Sequence, residues 1–218
     1  MVATHNPQHS ASDTVFWGVV HGLEHQQFVP GQRLVEADLS QKFSVGRNAV
    51  REAIQRLAAE GVISQSRHKG ATIRILSQQE ALDLLDIIEK IFGLLTRYAT
   101  RGHRNDTYHT QLKQAYEALQ KADQARDPLA FSAARRCFYR TLLAMGNSQD
   151  IRRLFTTLHI HLLYAQQHLP ELQKIRMQDY ARITRKVLAG HPDEAEQAGI
   201  QHVSNVRRAL LNHPLYDA

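Results

Sequence analysis

The chain has a single cysteine, Cys137, among its 218 residues. An internal disulfide is excluded, and a lone thiol suits a reducing compartment, where Cys137 is expected to be a small buried hydrophobe. No apolar run approaches the roughly 20 residues that a membrane helix needs. The opening MVATHNPQHSASDT is polar, unlike a signal peptide. A cytoplasmic protein with no membrane partner is expected. Also missing are a glycine-rich phosphate loop, a nucleophile elbow, a metalloprotease motif and a Cys/His pair at readable spacing, so an enzyme finds little support. There is no internal repeat and no low-complexity tract.

Length leaves room for two modest domains. The formal charge of +6 and the pI near 9.6 suit a polyanionic partner without locating it. Up to Leu76, eight Lys/Arg face six Asp/Glu, and the remainder holds nineteen against fifteen. The local distribution is more telling. Between Lys42 and Arg74 stand seven basic residues (Lys42, Arg47, Arg51, Arg56, Arg67, Lys69, Arg74) against two acids, Glu52 and Glu60.

That surplus falls on an ordered series of elements. Pro30-Gly31 signals a turn, and Glu36 to Phe43 reads as a short helix with Leu39 and Phe43 as its core contacts. Val50, Ala53, Ile54, Leu57 and Ala58 then recur on one stripe of a second helix. Its other face carries Arg47, Asn48, Arg51, Gln55 and Arg56, side chains able to reach phosphates and base edges. Gly46 stands at the N-cap and Gly61 stops the helix. Two β-rich runs, Val62–Gln65 and Ala71–Ile75, flank Arg67-His68-Lys69-Gly70 as a hairpin with a basic tip. This order is a winged helix-turn-helix, and DNA is the partner it implies.

The stretch PGQRLVEADLSQKFSVGRNAVREAIQRLAAEGVI, followed by KGATI, resembles the DNA-binding domain of GntR-family bacterial transcription regulators, in the FadR-like subgroup, across roughly residues 14–76. The resemblance implies operator contacts from the arginine opening the recognition helix, the arginine four residues on and the glycine-containing wing tip. Those positions are Arg47, Arg51 and Lys69-Gly70, and Arg33 and Asn48 join them as expected DNA-binding residues. Gly46 stands where the family usually has serine or threonine, and Asn48-Ala49 replaces its more usual pair, which implies a different base preference.

From Ser77 the strand-like runs vanish. Helical segments are expected at about 77–101, 107–125, 127–145, 148–168, 172–189 and 192–212, from periodicity and from breaks such as Asp127-Pro128, Gly146-Asn147 and Gly190-His191-Pro192. The expected fold class is therefore mainly α: a disordered arm over 1–12, a winged helix-turn-helix over 13–76, and an all-α antiparallel helical bundle over 77–218 for effector binding and dimerisation.

The second half resembles, more weakly, the FCD effector-binding domain, through CFYRTLLAMGNSQDIRRLF and the spacing of its last two helices. That family commonly binds a divalent metal through an Asp and a His four apart, a His on a later helix and a last His on the final helix. Here Arg135 stands in place of the Asp, Tyr139 of the first His and Tyr180 of the second; only His202 matches. An arginine repels a cation and tyrosine is a poor neutral-pH ligand, so neither a metal nor another cofactor is expected. Arg135, Tyr139, Tyr180 and His202 could instead hold a small carboxylate. Equally open is a purely internal pairing of Arg135 with Asp179 or Glu196.

Of the other histidines, His159 and His161 are two apart and do not form a chelating pair, and His21 and His25 are expected at the surface. The function that follows is a sequence-specific transcription regulator, expected to be a repressor. It would bind a pseudo-palindromic operator as a homodimer under control of an organic-acid effector. The alternatives are a DNA-binding regulator whose helical domain only dimerises, and a metal-dependent sensor.

Overall fold

The computed structural model describes residues 10–25, 27–66, 70–157 and 170–211. The chain divides into two compact units that change over between Leu76 and Ser77.

In the first unit, α1 (Ala11–Glu24) starts inside the segment assigned to a disordered arm. The reason is local: Ser10 and Asp13 form a capping box, with the Ser10 hydroxyl accepting from the Asp13 N–H at 3.0 Å and Asp13 accepting from the Ser10 N–H at 3.1 Å. One face of α1 buries Val15, Phe16, Val19 and Leu23, and this helix packs on α3. Helix α2 (Glu36–Phe43) buries Leu39. Phe43 is only half-buried, and it lies on Gly18 of α1, where an added Cβ would come within 2.3 Å of its ring. Ser44 makes the tight turn in the left-handed region, with φ 54°. Helix α3 (Arg47–Ala59) buries Val50, Ala53, Ile54 and Leu57, the stripe read from the sequence.

The wing has a strand that the sequence reading missed. β1 (Arg33–Leu34) pairs antiparallel with β3 (Gly70–Ile73), which pairs with β2 (Ile63–Ser66), giving the order β1-β3-β2. Leu34 lies opposite Ala71, and Ile63 opposite Ile73. A two-residue strand leaves no alternation to detect; Leu34 alone is buried, while Arg33 faces solvent. Arg67, His68 and Lys69 lie outside the described residues.

The second unit is helical: α4 (Gln78–Ala99), α5 (Asp106–Gln124), α6 (Pro128–Gly146), α7 (Gln149–Thr157), α8 (Pro170–Leu188) and α9 (Pro192–Leu211). Caps fix the boundaries. Ser77 and Glu80 form a second capping box, and the Asp127 carboxylate accepts from the N–H groups of Leu129 and Ala130 at the start of α6. Asn147 ends α6 in the left-handed region. Helix α4 is central, packing on α9, α6, α7 and α8, while α5 pairs with α6. The core includes Leu85, Phe92, Leu95, Leu112, Leu119, Phe138, Leu142, Tyr180 and Ile183. Cys137 is exposed, contrary to expectation. The buried face of α6 runs through Phe131, Ala134, Phe138 and Leu142, which turns Cys137 outward beside the exposed Arg140. His159 and His161 lie outside the described residues.

Helices α4 and α9 approach closely at Gly199, where an added Cβ would fall 2.4 Å from the Thr96 hydroxyl and 3.0 Å from the Phe92 carbonyl oxygen. Thr96 is itself fixed by donating to the Gly93 carbonyl at 2.8 Å. Backbone cannot rotate away, so Gly199→Ala should destabilise the protein by about 1–3 kcal/mol, the usual range for overpacking. Urea unfolding with an unchanged midpoint would show that the crossing is looser than this.

Candidate functional site

The winged unit presents the opening turn of α3. Gly46 caps that helix without a side-chain hydrogen bond, and no acidic residue sits in the first turn. Its open backbone N–H groups and the positive end of the helix dipole therefore face outward with the exposed side chains of Arg47 and Asn48. An added Cβ on Gly46 would meet nothing within 4 Å, so packing does not demand glycine there.

The basic residues counted in the sequence divide into two kinds. Arg56 is held inside the unit, 2.8 Å from Asp13, 3.1 Å from Glu60 and 3.9 Å over the Phe16 ring. Arg74 donates to the Gly61 carbonyl at 2.9 Å. Neither side chain belongs to an open recognition face. Arg33 and Arg47 carry no ion pair among the described residues. Arg51 Nε lies 2.9 Å from Glu36 Oε2, and its side chain is 63% exposed. An exposed pair of this kind is worth about 0–1 kcal/mol, so Arg51 is readily exchanged onto another anion. Arg33 and Gly70 come together. Gly70 has φ +71°, and its missing Cβ would sit 3.7 Å from the Arg33 guanidinium. They line a concavity of about 560 Å³ with Glu36, Gln65 and Ser66. Lys69 lies outside the described residues.

In the helical unit, residues from three helices converge. Arg135 and Tyr139 sit one turn apart on α6, Tyr180 on α8 and His202 on α9, and all four are buried. The Tyr139 hydroxyl is 3.2 Å from the Tyr180 hydroxyl and 3.2 Å from His202 Nε2. On the other side of the ring, His202 Nδ1 is 3.2 Å from Asp179 Oδ2. Asp179 also accepts from Asn205 Nδ2 on both oxygens at 3.0 Å and from Arg182 at 2.9 Å. A carboxylate can only accept, so His202 Nδ1 carries the proton, Nε2 accepts from Tyr139, and Tyr139 accepts from Tyr180. The result is a one-way chain, Tyr180 to Tyr139 to His202 to Asp179. Phe92 lies 5.4 Å from both the Tyr139 and His202 rings, and Phe138 lies 5.1 Å from Tyr180, which keeps the chain dry.

Burial pushes the His202 pKa below the ordinary histidine value; Asp179 opposes this, and the charges of Arg176 and Arg135 add to it. His202 is therefore neutral. Sequence offers Asp179 only as a partner for Arg135; in the structure it also orients His202, and Glu196 accepts from Arg97 at 2.7 Å. Asn205 and Arg176 gave no signal, since each is legible only once α8 and α9 are placed side by side.

The divalent metal implied by the FCD resemblance does not fit this donor set. Two phenols, and an imidazole whose Nε2 already accepts a hydrogen bond from Tyr139, offer no anionic ligand beside the two guanidiniums. Among the described residues no group of three or more His, Cys, Asp and Glu is placed to hold a metal. His25 turns its Nδ1 onto the His21 carbonyl at 2.6 Å, and His21 stacks on Trp17, so this spaced pair is not posed to chelate.

Comparison with known proteins identifies both halves. Residues 12–73 match the model of bacterial regulatory proteins of the gntR family, and residues 80–205 match the FCD domain. The chain is 23% identical over 182 residues to a probable D-xylose utilization operon transcriptional repressor of Paenarthrobacter nicotinovorans, covering 80% of this chain and 77% of the relative. It is 36% identical over 62 residues, about a quarter of each chain, to the galactonate operon transcriptional repressor of Escherichia coli K12. Among solved structures, E. coli McbR/YncC superposes with a TM-score of 0.81 at 18% identity, covering 94% of this chain and 98% of that one. A putative GntR regulator from Rhodococcus sp. RHA1 gives 0.78 at 19%, covering 93% and 98%.

The neutral buried imidazole sets a pH dependence. Its folded pKa is lowered, so below about pH 6.5 the unfolded chain binds a proton that the folded chain resists. Stability should thus fall as pH drops from about 6.5 toward the lowered folded value, with no contribution above that range. His202→Gln should flatten this part of the profile in urea melts at pH 7.5, 6.5 and 5.5. An unchanged slope would show that His202 does not carry it.

Proposed function

Because the chain belongs to the GntR family of bacterial regulatory proteins and is a DNA-binding transcriptional regulator with an FCD effector domain, we propose that it is a cytoplasmic repressor released or engaged by a small organic acid. The observation that carries the effector half is the buried meeting of Arg135, Tyr139, Tyr180 and His202, with the guanidinium one turn before a tyrosine pair. A carboxylate binds a guanidinium bidentately and accepts phenolic protons, so all of these groups find a use on one acid. Repression is supported by relatives that are themselves named repressors.

On the DNA side, Arg47, Asn48 and Arg51 would enter the major groove with α3, while Arg33, Lys69 and Gly70 follow the wing. Arg51 leaves Glu36 for DNA at little cost, given the exposure of the pair. Two chains would meet through the outer face of α4, where Ile87, Ile91 and Leu94 recur at i, i+4 and i+7; Ile87 is 51% exposed and Leu94 40%. A two-fold dimer of winged units matches a pseudo-palindrome. The acid alters operator affinity only to the degree that it binds the DNA-competent and DNA-incompetent arrangements unequally.

A second reading, in which the helical domain only dimerises, is favoured by one observation. The hydrogen-bond chain from Tyr180 to Asp179 is complete without a ligand. Thermal shift separates the two. Under the first reading a carboxylate stabilises the protein by roughly 2.7 kcal/mol at a hundredfold excess over Kd, and Arg135→Ala abolishes this while leaving ligand-free operator binding nearly unchanged. Absence of any stabilisation across a carboxylate screen favours the second. One equivalent of tightly held metal per chain, lost in His202→Ala, would sink both in favour of a metal sensor.

For the DNA half, Arg51→Ala should cost about 1–3 kcal/mol of operator affinity with the fold intact. An anisotropy titration with unaltered affinity removes Arg51 from the interface.

A further inference from the structure

Asn48 is the second residue of α3, exposed between Arg47 and the half-buried Ala49, with the exposed Arg51 three residues on and facing the same way. Its amide serves nothing inside the unit. The helix start has no side-chain cap, and the Asn48 side chain makes no hydrogen bond among the described residues. Asparagine is only a moderate helix former, so its intrinsic propensity does not account for an unbonded amide at this position.

Two observations decide what the amide can meet on DNA. The first concerns phosphate. Behind Gly46 the first-turn N–H groups lie open, an added Cβ there would meet nothing within 4 Å, and Arg47 adds a full charge. A phosphate at the helix start is therefore already provided with donors. The second concerns the line on which Asn48 stands. Glu52 follows it by one turn on the same side of α3, is exposed, and has no ion pair among the described residues. A carboxylate so placed repels the sugar-phosphate backbone. The neighbouring line of Arg47, Arg51 and Gln55 holds no acid. The line through Asn48 is thus turned away from the backbone and toward base edges.

Base chemistry then narrows the choice. A side-chain amide offers one donor and one acceptor side by side. In the major groove adenine alone presents their complement on one base, the N7 acceptor beside the N6 amine. Guanine shows two acceptors, which would set the amide oxygen against O6; cytosine offers only a donor, and thymine an acceptor beside a methyl group.

We propose that Asn48 reads an adenine in each operator half-site, its Nδ2 donating to N7 and its Oδ1 accepting from the N6 amine. The inference rests on the entry of α3 into the major groove and adds the base that one of its side chains selects.

The test begins with the full-length protein selecting from a library of random duplexes, followed by anisotropy titrations on the enriched site. One position of each half-site should be adenine, and replacing that base pair should weaken binding about tenfold or more. Asn48→Ser and Asn48→Ala should fold like the parent, since the side chain is exposed and unbonded, and both should lose the preference at that position alone. Replacing the adenine by 7-deazaadenine exchanges N7 for C–H and keeps the base pair. It should weaken the parent several-fold and leave Asn48→Ala unchanged. An Asn48→Ala protein weakened alike on every duplex would assign the amide to a phosphate, and a parent indifferent to 7-deazaadenine would remove it from the base edge. Either result overturns the inference and leaves α3 in the groove, a placement that Arg51→Ala tests by itself. A parent that enriches no sequence overturns both.

Discussion

The close crossing of α4 and α9 at Gly199 is the constraint on which the helical unit depends. With no Cβ at that point, α9 approaches until Gly199 rests against the Phe92 carbonyl and Thr96. His202 lies three residues further along the same face, so the same approach drives its imidazole between Phe92 and Tyr139. Removed from water, that ring must be neutral and must satisfy both nitrogens. Asp179 fixes the tautomer from one side and Tyr139 closes the other. A packing requirement on one glycine thereby sets the protonation state of the cluster and the direction of its hydrogen bonds.

In the winged unit, the arithmetic of charge and the geometry of charge differ. Seven basic residues between Lys42 and Arg74 suggest one large positive face. Arg56 and Arg74 are instead engaged within the unit, the first with Asp13 of α1 and Glu60 at the end of α3, the second with the Gly61 carbonyl at the base of the wing. Lys42 lies 4.4 Å over the Phe28 ring. What remains open is smaller and better placed: Arg47 and Asn48 at the uncapped start of α3, Arg51 on a weak exposed pair, and Arg33 beside Gly70. A small set at a helix N-terminus is also where the macrodipole adds to side-chain charge.

Much of this was legible from one sequence because helices and turns announce themselves locally. The apolar stripe of α3, the Asp127-Pro128 start of α6 and the Gly46 N-cap depend on neighbours a few residues away, and all three appear as read. Failures came where the signal was short or non-local. β1 is two residues long, and the start of α1 depended on a Ser10–Asp13 capping box passed over in a polar segment. Cys137 was assigned by residue type when its angular position on α6 turned it to solvent. The convergence of Arg135, Tyr139, Tyr180 and His202 was legible only through resemblance to a family pattern. Asn205 and Arg176 stand outside that pattern and could not be found that way.

The tyrosine–histidine chain looks at first too well satisfied to yield to a ligand, and magnitudes decide the matter. Opening the contact between Tyr180 and Tyr139 gives up one neutral hydrogen bond, about 0.5–1.5 kcal/mol. Each charge-assisted hydrogen bond from a guanidinium to a carboxylate returns about 1.5–3 kcal/mol, and the displaced phenols can donate to the same oxygens. Under the proposed effector reading, the loss of that one hydrogen bond is therefore not what would keep an acid out. Regulation needs less still, since a tenfold change in operator affinity requires a difference of only about 1.4 kcal/mol between the ligand's affinities for the two arrangements. Under the same reading, a cluster that is complete when empty would keep the domain folded with and without ligand. The ligand would then act by re-aiming α6, α8 and α9 against one another, with no need to fold or unfold any of them.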